Sequence, residues 1–443
     1  MRIVRTSRVR HAPPSRLLRA TLGVTLSVMS LAASAKDPKD PYLPGEILVR
    51  LHSAANIGPL MAQHHLSLVS QSGQRPLFRL DVQDGMSVPD KVTELLLDPE
   101  VIAAEANVQP RSPEARKNVV WAIGSETEYH EQWAPAAMRL AEAQAITQGA
   151  GVRVAVLDTG VDATHPALAG KLLPGHDFVD NDSDPSEEGT KDDPGFGHGT
   201  HVAGLVALTA PAARIIPVRA LDQAGRGDVW MLQTALLYAM DPDGNPATDD
   251  GAHVVNMSLG TLDRTRIMDA VMTLAACVIP KQTAQPDTDY SDPGYDADKA
   301  RCAARHGAVI LAAAGNEGSR RAKEYPAAEG LYGLAPVGAT AEDHRFADFS
   351  NKGSWVDIAA PGDKITSTVP GGGYGTWSGT SMASPLAAGI AALVRAQSPK
   401  LKPKDVARRL EDSGAQMCGD TNTVQVDALA AVTNKVAPPL TCK

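Results

Sequence analysis

The sequence has no long run of basic residues, and its 51 acidic residues outnumber its 42 Lys and Arg. The formal net charge of −9 argues against nucleic acid or an anionic membrane surface as the main partner. Repeats and low-complexity segments are also missing, so we expect most of the chain to fold. A length of 443 residues is enough for two or more domains and a large core.

Long apolar stretches are missing too, apart from one near the N-terminus. Residues 20–32 are apolar, follow six arginines and precede Ala33-Ser34-Ala35. This order is typical of a signal peptide, and the stretch is shorter than the ~20 residues that span a bilayer. A membrane anchor is the alternative interpretation. We expect residues 1–35 to be removed on export. The protein would then be secreted or periplasmic, without membrane contact.

The chain contains four cysteines, which is a small and even number. Cys277, Cys302, Cys418 and Cys442 are spaced wrongly for a zinc site. In an exported protein an even number suggests disulfides. Proximity in sequence favours the pairs 277–302 and 418–442, which is one of three connectivities.

The first part of the chain after residue 41 reads as a small α+β unit. "YLPGEILVRLH" and "VIAAEANVQ" are predicted strands, and "KVTELLLDP" between them is a predicted short helix. Residues 109–118, "QPRSPEARKN", then have the composition of a linker.

From about residue 120, short apolar runs alternate with helical segments. Such runs are typical of parallel strands that are buried on both faces, and the alternation predicts a parallel sheet between two helical layers. The runs are "VRVAVLD", "RIIPVRA", "AHVVNMS", "AVILAAAG" and "LAPVGA". Ligands of such sheets bind beyond the carboxyl ends of the strands. Asp158, Ser258 and Asn316 fall at these ends.

Three stretches together indicate nucleophilic catalysis: "VAVLDTGVD" with Asp158, "GHGTHVAG" with His198 and "GTSMASP" with Ser381. A serine hydroxyl needs a base, and the base needs an orienting carboxylate. Each residue alone also has a structural interpretation as a helix cap or a turn neighbour. The three motifs in this order are hard to explain as caps.

With these motifs the chain resembles the subtilisin-like serine proteases, the subtilases, over about residues 120–435. The resemblance implies a three-layer α/β/α domain with a mainly parallel sheet of about seven strands. It also implies a preceding ferredoxin-like α+β prodomain that assists folding and blocks the cleft. The expected parts are a signal peptide (1–35), a propeptide (36–113) and a catalytic domain (114–443).

The resemblance also implies residue roles. Ser381 would be the nucleophile, His198 the general base and Asp158 its orienting carboxylate. Asn316 and the Ser381 N–H would form the oxyanion hole. Further substrate-binding residues are implied in three groups. Ser258, Leu259 and Gly260 would pair with the substrate backbone; Ala313, Ala314 and Gly315 would wall the pocket; and Glu324, before Tyr325-Pro326, would lie at the pocket floor.

The implied protein is a monomeric, self-processed serine endopeptidase that acts on proteins or peptides through an acyl-enzyme and is inhibited by its own propeptide. A catalytically inactive, peptide-binding subtilase is the main alternative. An acyl hydrolase of the α/β-hydrolase type is a further one, but the chain contains no G-x-S-x-G.

The chemistry requires no cofactor, and the sequence assigns no metal ligand. Structural calcium is an option at two acidic loops, residues 177–193 and 241–250, since calcium prefers carboxylate and carbonyl oxygens. Neither loop has the EF-hand spacing.

Overall fold

The structure is a computed structural model that describes residues 41–112, 123–245, 247–278, 301–302 and 307–442. The predicted signal peptide and the linker from residue 113 onward lie outside the described residues. The rest of the predicted propeptide and the catalytic domain form one unit, Asp40–Lys443.

The N-terminal part is a four-stranded antiparallel sheet with two helices. Its elements are β1 (Tyr42–Leu51), α1 (Ile57–His64), β2 (Leu66–Gln71), β3 (Leu77–Val82), α2 (Val88–Leu95) and β4 (Val101–Val108). The strand order is β2-β3-β1-β4, and neighbouring strands are antiparallel, so the topology is the ferredoxin-like one. Ile47 and Val49 belong to the core of this unit, whereas Leu48 points to the opposite face.

The larger part contains the remaining elements. The helices are α3 (Glu126–Glu131), α4 (Trp133–Ala137), α5 (Leu140–Gln144), α6 (His198–Thr209), α7 (Val229–Met240), α8 (Arg266–Ala275), α9 (Thr380–Gln397), α10 (Pro403–Ser413) and α11 (Ala428–Thr433). The strands are β5 (Ile123–Gly124), β6 (Arg153–Asp158), β7 (His176–Asp177), β8 (Arg214–Arg219), β9 (Val254–Met257), β10 (Val309–Ala313), β11 (Leu334–Thr340), β12 (Ile358–Pro361), β13 (Ile365–Val369), β14 (Gly373–Trp377), β15 (Ala415–Gln416) and β16 (Val424–Gln425).

A nine-stranded sheet separates two helical layers. The order is β15-β16-β12-β11-β10-β9-β6-β8-β7, and each neighbouring pair is parallel except β15–β16 at one edge. Val154 and Val156 of β6 pack with α6 and α9 on one face, while Ala155 and Leu157 pack with α7 and α8 on the other. The predicted mainly parallel, three-layer architecture is confirmed. The described sheet has nine strands rather than about seven: six strands of four to seven residues and three strands of two residues near its edges.

The helical segment around residue 139 is divided in the structure. α4 and α5 are separated by Arg139, which has a left-handed φ of 48°. Arg139 binds both carboxylate oxygens of Asp427 at 2.6 and 2.8 Å. This bidentate contact joins the turn between α4 and α5 to the N-cap residue of α11.

Both predicted disulfides are present, Cys277–Cys302 and Cys418–Cys442. Among the described residues, none of the helices combines the length and apolarity needed to cross a membrane.

Candidate active site

The predicted site residues meet at the carboxyl edge of the large sheet. β6 and β9 are adjacent and parallel, with Leu157 opposite Met257, so Asp158 and Ser258 follow at neighbouring positions. β10 is the next strand, and it leads into Ala314, Gly315 and Asn316. The sheet thus places residues from three separate motifs side by side.

Asp158 and His198 form a buried hydrogen-bonded pair. The Nδ1 atom of His198 lies 2.6 Å from Oδ1 of Asp158, and the side chains are 2% and 1% exposed. Because an ionised carboxylate can only accept, Nδ1 carries the proton and Nε2 is left with the lone pair in the neutral ring. The Thr159 N–H also donates to Asp158 Oδ1, at 2.8 Å. This arrangement leaves Nε2 chemically able to take a proton.

His198 is the first residue of α6, and the helix begins very close to Asp158. A methyl group at Gly199 would lie 2.1 Å from the Gly160 carbonyl oxygen and 3.1 Å from Asp158 Cβ. Only glycine permits this approach. Trp377 stacks beside His198 with ring centroids 6.2 Å apart.

Ser381 is the second residue of α9, the helix that packs against α6. Its Oγ donates to the Ser258 carbonyl oxygen at 3.4 Å, and Ser258 Oγ donates to the Ser381 carbonyl oxygen at 3.0 Å. Ser381 is therefore anchored to the edge segment after β9, next to the strand that ends in Asp158. Its backbone N–H is one of those at the positive end of an 18-residue helix.

Asn316 is held in place by the residue before Ser381. The Thr380 N–H and the Thr380 hydroxyl both lie within hydrogen-bonding distance of Asn316 Oδ1, at 2.9 and 3.0 Å. Because the oxygen of the amide is fixed on the Thr380 side, its NH₂ group is directed elsewhere. Thr380 Oγ1 also accepts from the Gly315 N–H at 3.0 Å. This network fixes the orientation of a buried amide donor next to Ser381.

Glu324 lies beneath the predicted pocket walls. Its side chain is fully buried. Burial of a carboxylate costs free energy unless the group is hydrogen-bonded or paired. A methyl group at Gly260 would lie 2.5 Å from Glu324 Oε2, and one at Gly315 would lie 2.3 Å from its Cγ. Ala313 and Ala314 are also buried. The structure therefore brings Glu324 together with Gly260 of the predicted backbone-pairing segment and with Gly315 of the predicted pocket wall.

A segment of the N-terminal part pairs with the edge of this site. Arg111 N–H donates to the Gly260 carbonyl oxygen and Gly260 N–H donates to the Arg111 carbonyl oxygen, both at 2.9 Å. On the other side, Ser112 N–H donates to the Gly225 carbonyl oxygen at 2.9 Å, and Gly227 N–H to that of Pro110 at 3.0 Å. Residues 110–112 thus form the middle strand between two edge segments.

The N-terminal sheet also packs on α7 and α8. Leu48, Leu77 and Val108 share an apolar cluster with both helices. Glu105 accepts hydrogen bonds from the Arg266 and Ile267 N–H groups at the start of α8, at 2.8 and 3.3 Å. A carboxylate there complements the helix dipole.

Within the described part of the chain, two clusters of three carboxylates have ligand atoms close enough together to hold a cation. Asp177, Asp180 and Glu188 converge on the buried guanidinium of Arg219, which already supplies the positive charge. Asp241, Asp243 and Asp250 offer oxygens that lie within 4.8 Å of one another. Because the first cluster is already paired with Arg219, the second cluster fits a hard cation such as calcium better than the first does.

Several neighbouring residues escaped the sequence analysis. Thr380 was not selected, yet it orients Asn316. Glu187 was not selected, yet it contacts residues next to both Asp158 and His198. The glycine at the N-cap of α6 could have indicated a capping group from elsewhere in the chain.

Comparison with known proteins identifies the chain as a serine protease. A sequence model described as "Subtilase family" matches residues 149–429, and one described as "Fervidolysin N-terminal prodomain" matches residues 29–107. The chain belongs to the subtilase family and carries a prodomain of this type.

Named relatives agree with this assignment. The chain is 34% identical over 375 residues to the thermophilic serine proteinase of Bacillus sp. (strain AK1), with 81% of this chain and 80% of that protein covered. It is 37% identical over 278 residues to thermitase of Thermoactinomyces vulgaris, covering 60% and 82% respectively.

The fold agrees with that of a solved structure. Fervidolysin from Fervidobacterium pennivorans, described as a keratinolytic enzyme related to subtilisin, matches with a TM-score of 0.66 at 24% identity. The match covers 90% of this chain, which spans 62% of that protein.

Proposed function

We propose that this subtilase is an active, exported serine endopeptidase that is made as a zymogen and processes itself. The observation that carries the proposal is the buried Asp158–His198 hydrogen bond of 2.6 Å at the sheet edge to which Ser381 is anchored. An orienting carboxylate, a base in a defined tautomer and a nucleophile are the three groups that peptide hydrolysis needs.

In the proposed mechanism, Nε2 of His198 takes the Ser381 hydroxyl proton as Oγ attacks the scissile carbonyl carbon. His198 then gives this proton to the leaving amine as the acyl-enzyme forms. Water repeats the sequence with His198 as base, which releases the acid and restores the hydroxyl. Asp158 holds the imidazole in place and stabilises its positive charge.

The oxyanion of each tetrahedral intermediate would be bound by the Asn316 amide and the Ser381 N–H. Both donors are fixed before substrate arrives, since Thr380 holds Asn316 and α9 holds the Ser381 backbone. Donors fixed in advance stabilise developing charge without reorganisation.

The proposed substrates are extended peptides. Gly225, Gly227 and Gly260 provide main-chain groups on both sides of a strand, as their hydrogen bonds to residues 110–112 demonstrate. Main-chain pairing of this kind recognises a peptide rather than a lipid or a simple ester. Glu324 beneath the pocket would favour a Lys or Arg side chain before the scissile bond.

The same contacts support the propeptide as an intramolecular inhibitor. While residues 110–112 occupy the edge strands, no other peptide can pair with Gly260. The proposed parts are the signal peptide (1–35), the propeptide (36–113) and a catalytic domain (114–443). The N-terminal arginines, apolar stretch and Ala33-Ser34-Ala35 support export.

A fluorophosphonate probe tests the proposed nucleophile. We expect it to label wild-type mature protein and the Ser378→Ala control, and to leave Ser381→Ala unlabelled. Hydrolysis of casein well above that of a short-chain ester would support a peptidase. A wild-type protein that binds peptides but neither reacts with the probe nor cleaves casein would instead be the inactive alternative.

A further inference from the structure

The start of α6 lacks a capping side chain of its own. Gly197 occupies the N-cap position with a left-handed φ of 85°. Helix N-termini leave four N–H groups that need acceptors, and glycine offers no side-chain oxygen. Other parts of the chain supply acceptors for two of these N–H groups. Gly199 N–H donates to Thr159 Oγ1 at 2.9 Å, and Thr200 N–H donates to Glu187 Oε2 at 3.1 Å.

Glu187 connects this helix start to the loop that carries Asp158. Its Oε1 accepts from the Thr159 hydroxyl at 2.6 Å, and its Oε2 accepts from the Thr200 hydroxyl at 2.8 Å. Thr159 in turn donates its N–H to Asp158 Oδ1 at 2.8 Å. One carboxylate therefore holds the residue after Asp158 and the residue two positions after His198.

We propose that Glu187 is a positioning residue, which fixes the distance and angle between Asp158 and His198 by bridging Thr159 and Thr200. The inference rests on the proposed function of the Asp158–His198 pair. It assigns no direct contact between Glu187 and the substrate.

The charge environment agrees with a fixed, enclosed carboxylate. Burial raises the pKa of Glu187 to about 7, and the nearby Asp158 charge acts in the same direction. Hydrogen bonds from Thr159, Thr200 and the Gly197 N–H oppose this shift. A carboxylate at a helix N-terminus is also favoured by the helix dipole. The carboxylate of Glu187 is thus buried, whereas a side chain that only capped the helix could remain exposed to water.

The test compares Glu187→Ala and Glu187→Gln with wild type, using kcat per fluorophosphonate-titrated serine. Without the bridge, the Asp–His geometry loosens, so we expect Glu187→Ala to lower kcat by about 10- to 100-fold with little change in KM. Glu187→Gln keeps one acceptor oxygen and should fall between the two. Asp192→Asn, an exposed acid on the same loop, is the control and should match wild type.

A second readout follows the Asp158–His198 hydrogen bond directly. The proton on His198 Nδ1 gives a resolved downfield ¹H resonance, which should broaden or shift in Glu187→Ala and persist in Glu187→Gln. This readout needs no turnover, so it tests the bridge even where the proposed catalysis fails. An unchanged resonance with unchanged kcat, or a lower unfolding temperature as the sole effect of either variant, would overturn the positioning role. If Glu187→Ala does not fold, Glu187→Gln decides by kcat per titrated serine, and a value equal to that of wild type would overturn the positioning role.

Discussion

Arg111 and Gly260 exchange two main-chain hydrogen bonds of 2.9 Å, so the chain's own N-terminal part lies in the groove that a substrate strand would use. The pairing supports the proposal that one polypeptide contains both a protease domain and a segment that covers its cleft. It also links the proposed substrate edge, the proposed pocket above Glu324 and the prodomain in one arrangement that can be tested residue by residue.

Asn316→Ala is expected to lower kcat by about 10²–10³-fold with little change in KM, because the lost amide would act mainly on the oxyanion; this magnitude is known from subtilisin itself. Steady-state kinetics with a peptide substrate measures it. Asn422→Ala, at an exposed site, is the matched control. A loss confined to KM would contradict the assigned role.

Glu324→Gln is expected to remove a preference for Lys or Arg before the scissile bond. Opposite charges about 4 Å apart attract by about 4 kcal/mol at an effective dielectric constant near 20, before desolvation is subtracted. We therefore expect wild type to prefer Lys over Leu by about tenfold or more in kcat/KM.

The measurement for Glu324 is a peptide series that varies at that one position. Glu342→Gln, at an exposed position in the turn after β11, serves as a control for loss of an acid. A wild-type enzyme that prefers Phe or Leu over Lys by about tenfold, with the same ratio in Glu324→Gln, would rule the assignment out.

Acidic pH is expected to strengthen the hold of the cleaved propeptide on the protease through Glu105. Burial, aided by the Asp269 charge, raises the pKa of Glu105 to about 7 in the complex, despite its hydrogen bonds to α8. A raised pKa means that this contribution is complete below the ordinary carboxyl pKa and is lost as the pH rises through about 7. One proton changes the affinity by at most about tenfold per pH unit.

The dissociation constant of the processed propeptide, measured between pH 5 and 8.5, tests this contribution. Glu105→Gln should flatten the pH dependence, whereas Glu100→Gln, whose carboxylate binds Asn56 within the propeptide, should keep it. Equal slopes in both variants would show that another group controls release.

Removal of calcium is expected to lower the unfolding temperature without altering the chemistry of the triad. At 100-fold excess over its Kd, a ligand stabilises the folded state by about 2.7 kcal/mol, which corresponds to roughly 4 °C for a domain of about 330 residues. The experiment uses the Ser381→Ala background, so that self-digestion does not interfere.

Asp243→Asn should abolish the calcium effect, and Asp180→Asn, which faces Arg219, should retain it. The reverse result would move the site to the Arg219 cluster. Identical unfolding temperatures with calcium and with a chelator would contradict the expectation that calcium stabilises the protein.

Buried elements of the catalytic domain could be predicted well from the sequence. The run "VRVAVLD" became β6 and "AVILAAAG" became β10, because strands covered on both faces are continuously apolar. α1 and the strands β2 and β3 were not predicted, since one face of this small sheet is polar or half-exposed and its alternation is weak. Arg139 and Asp427 are far apart in sequence, so their bidentate contact could not be foreseen.

The site divides in the same way. Asp158, His198, Ser381 and Asn316 stand in recognisable local motifs, and the structure brings their segments to one sheet edge. Glu187, Glu105 and the Arg219 cluster depend on contacts between distant segments, which neither spacing nor composition reveals. Glu324 is an intermediate case. Its position near the pocket was expected, but its close packing against Gly260 and Gly315 was not.

Parallel N-terminal sequencing of wild type and Ser381→Ala tests the central claim, a self-processing serine endopeptidase, most directly. Wild type should acquire a new N-terminus at about residue 114, within the stretch 109–118, and should hydrolyse casein. Ser381→Ala should remain a full precursor that begins after residue 35 and cleaves nothing. A pure Ser381→Ala protein that matures to the same N-terminus as wild type would contradict the account.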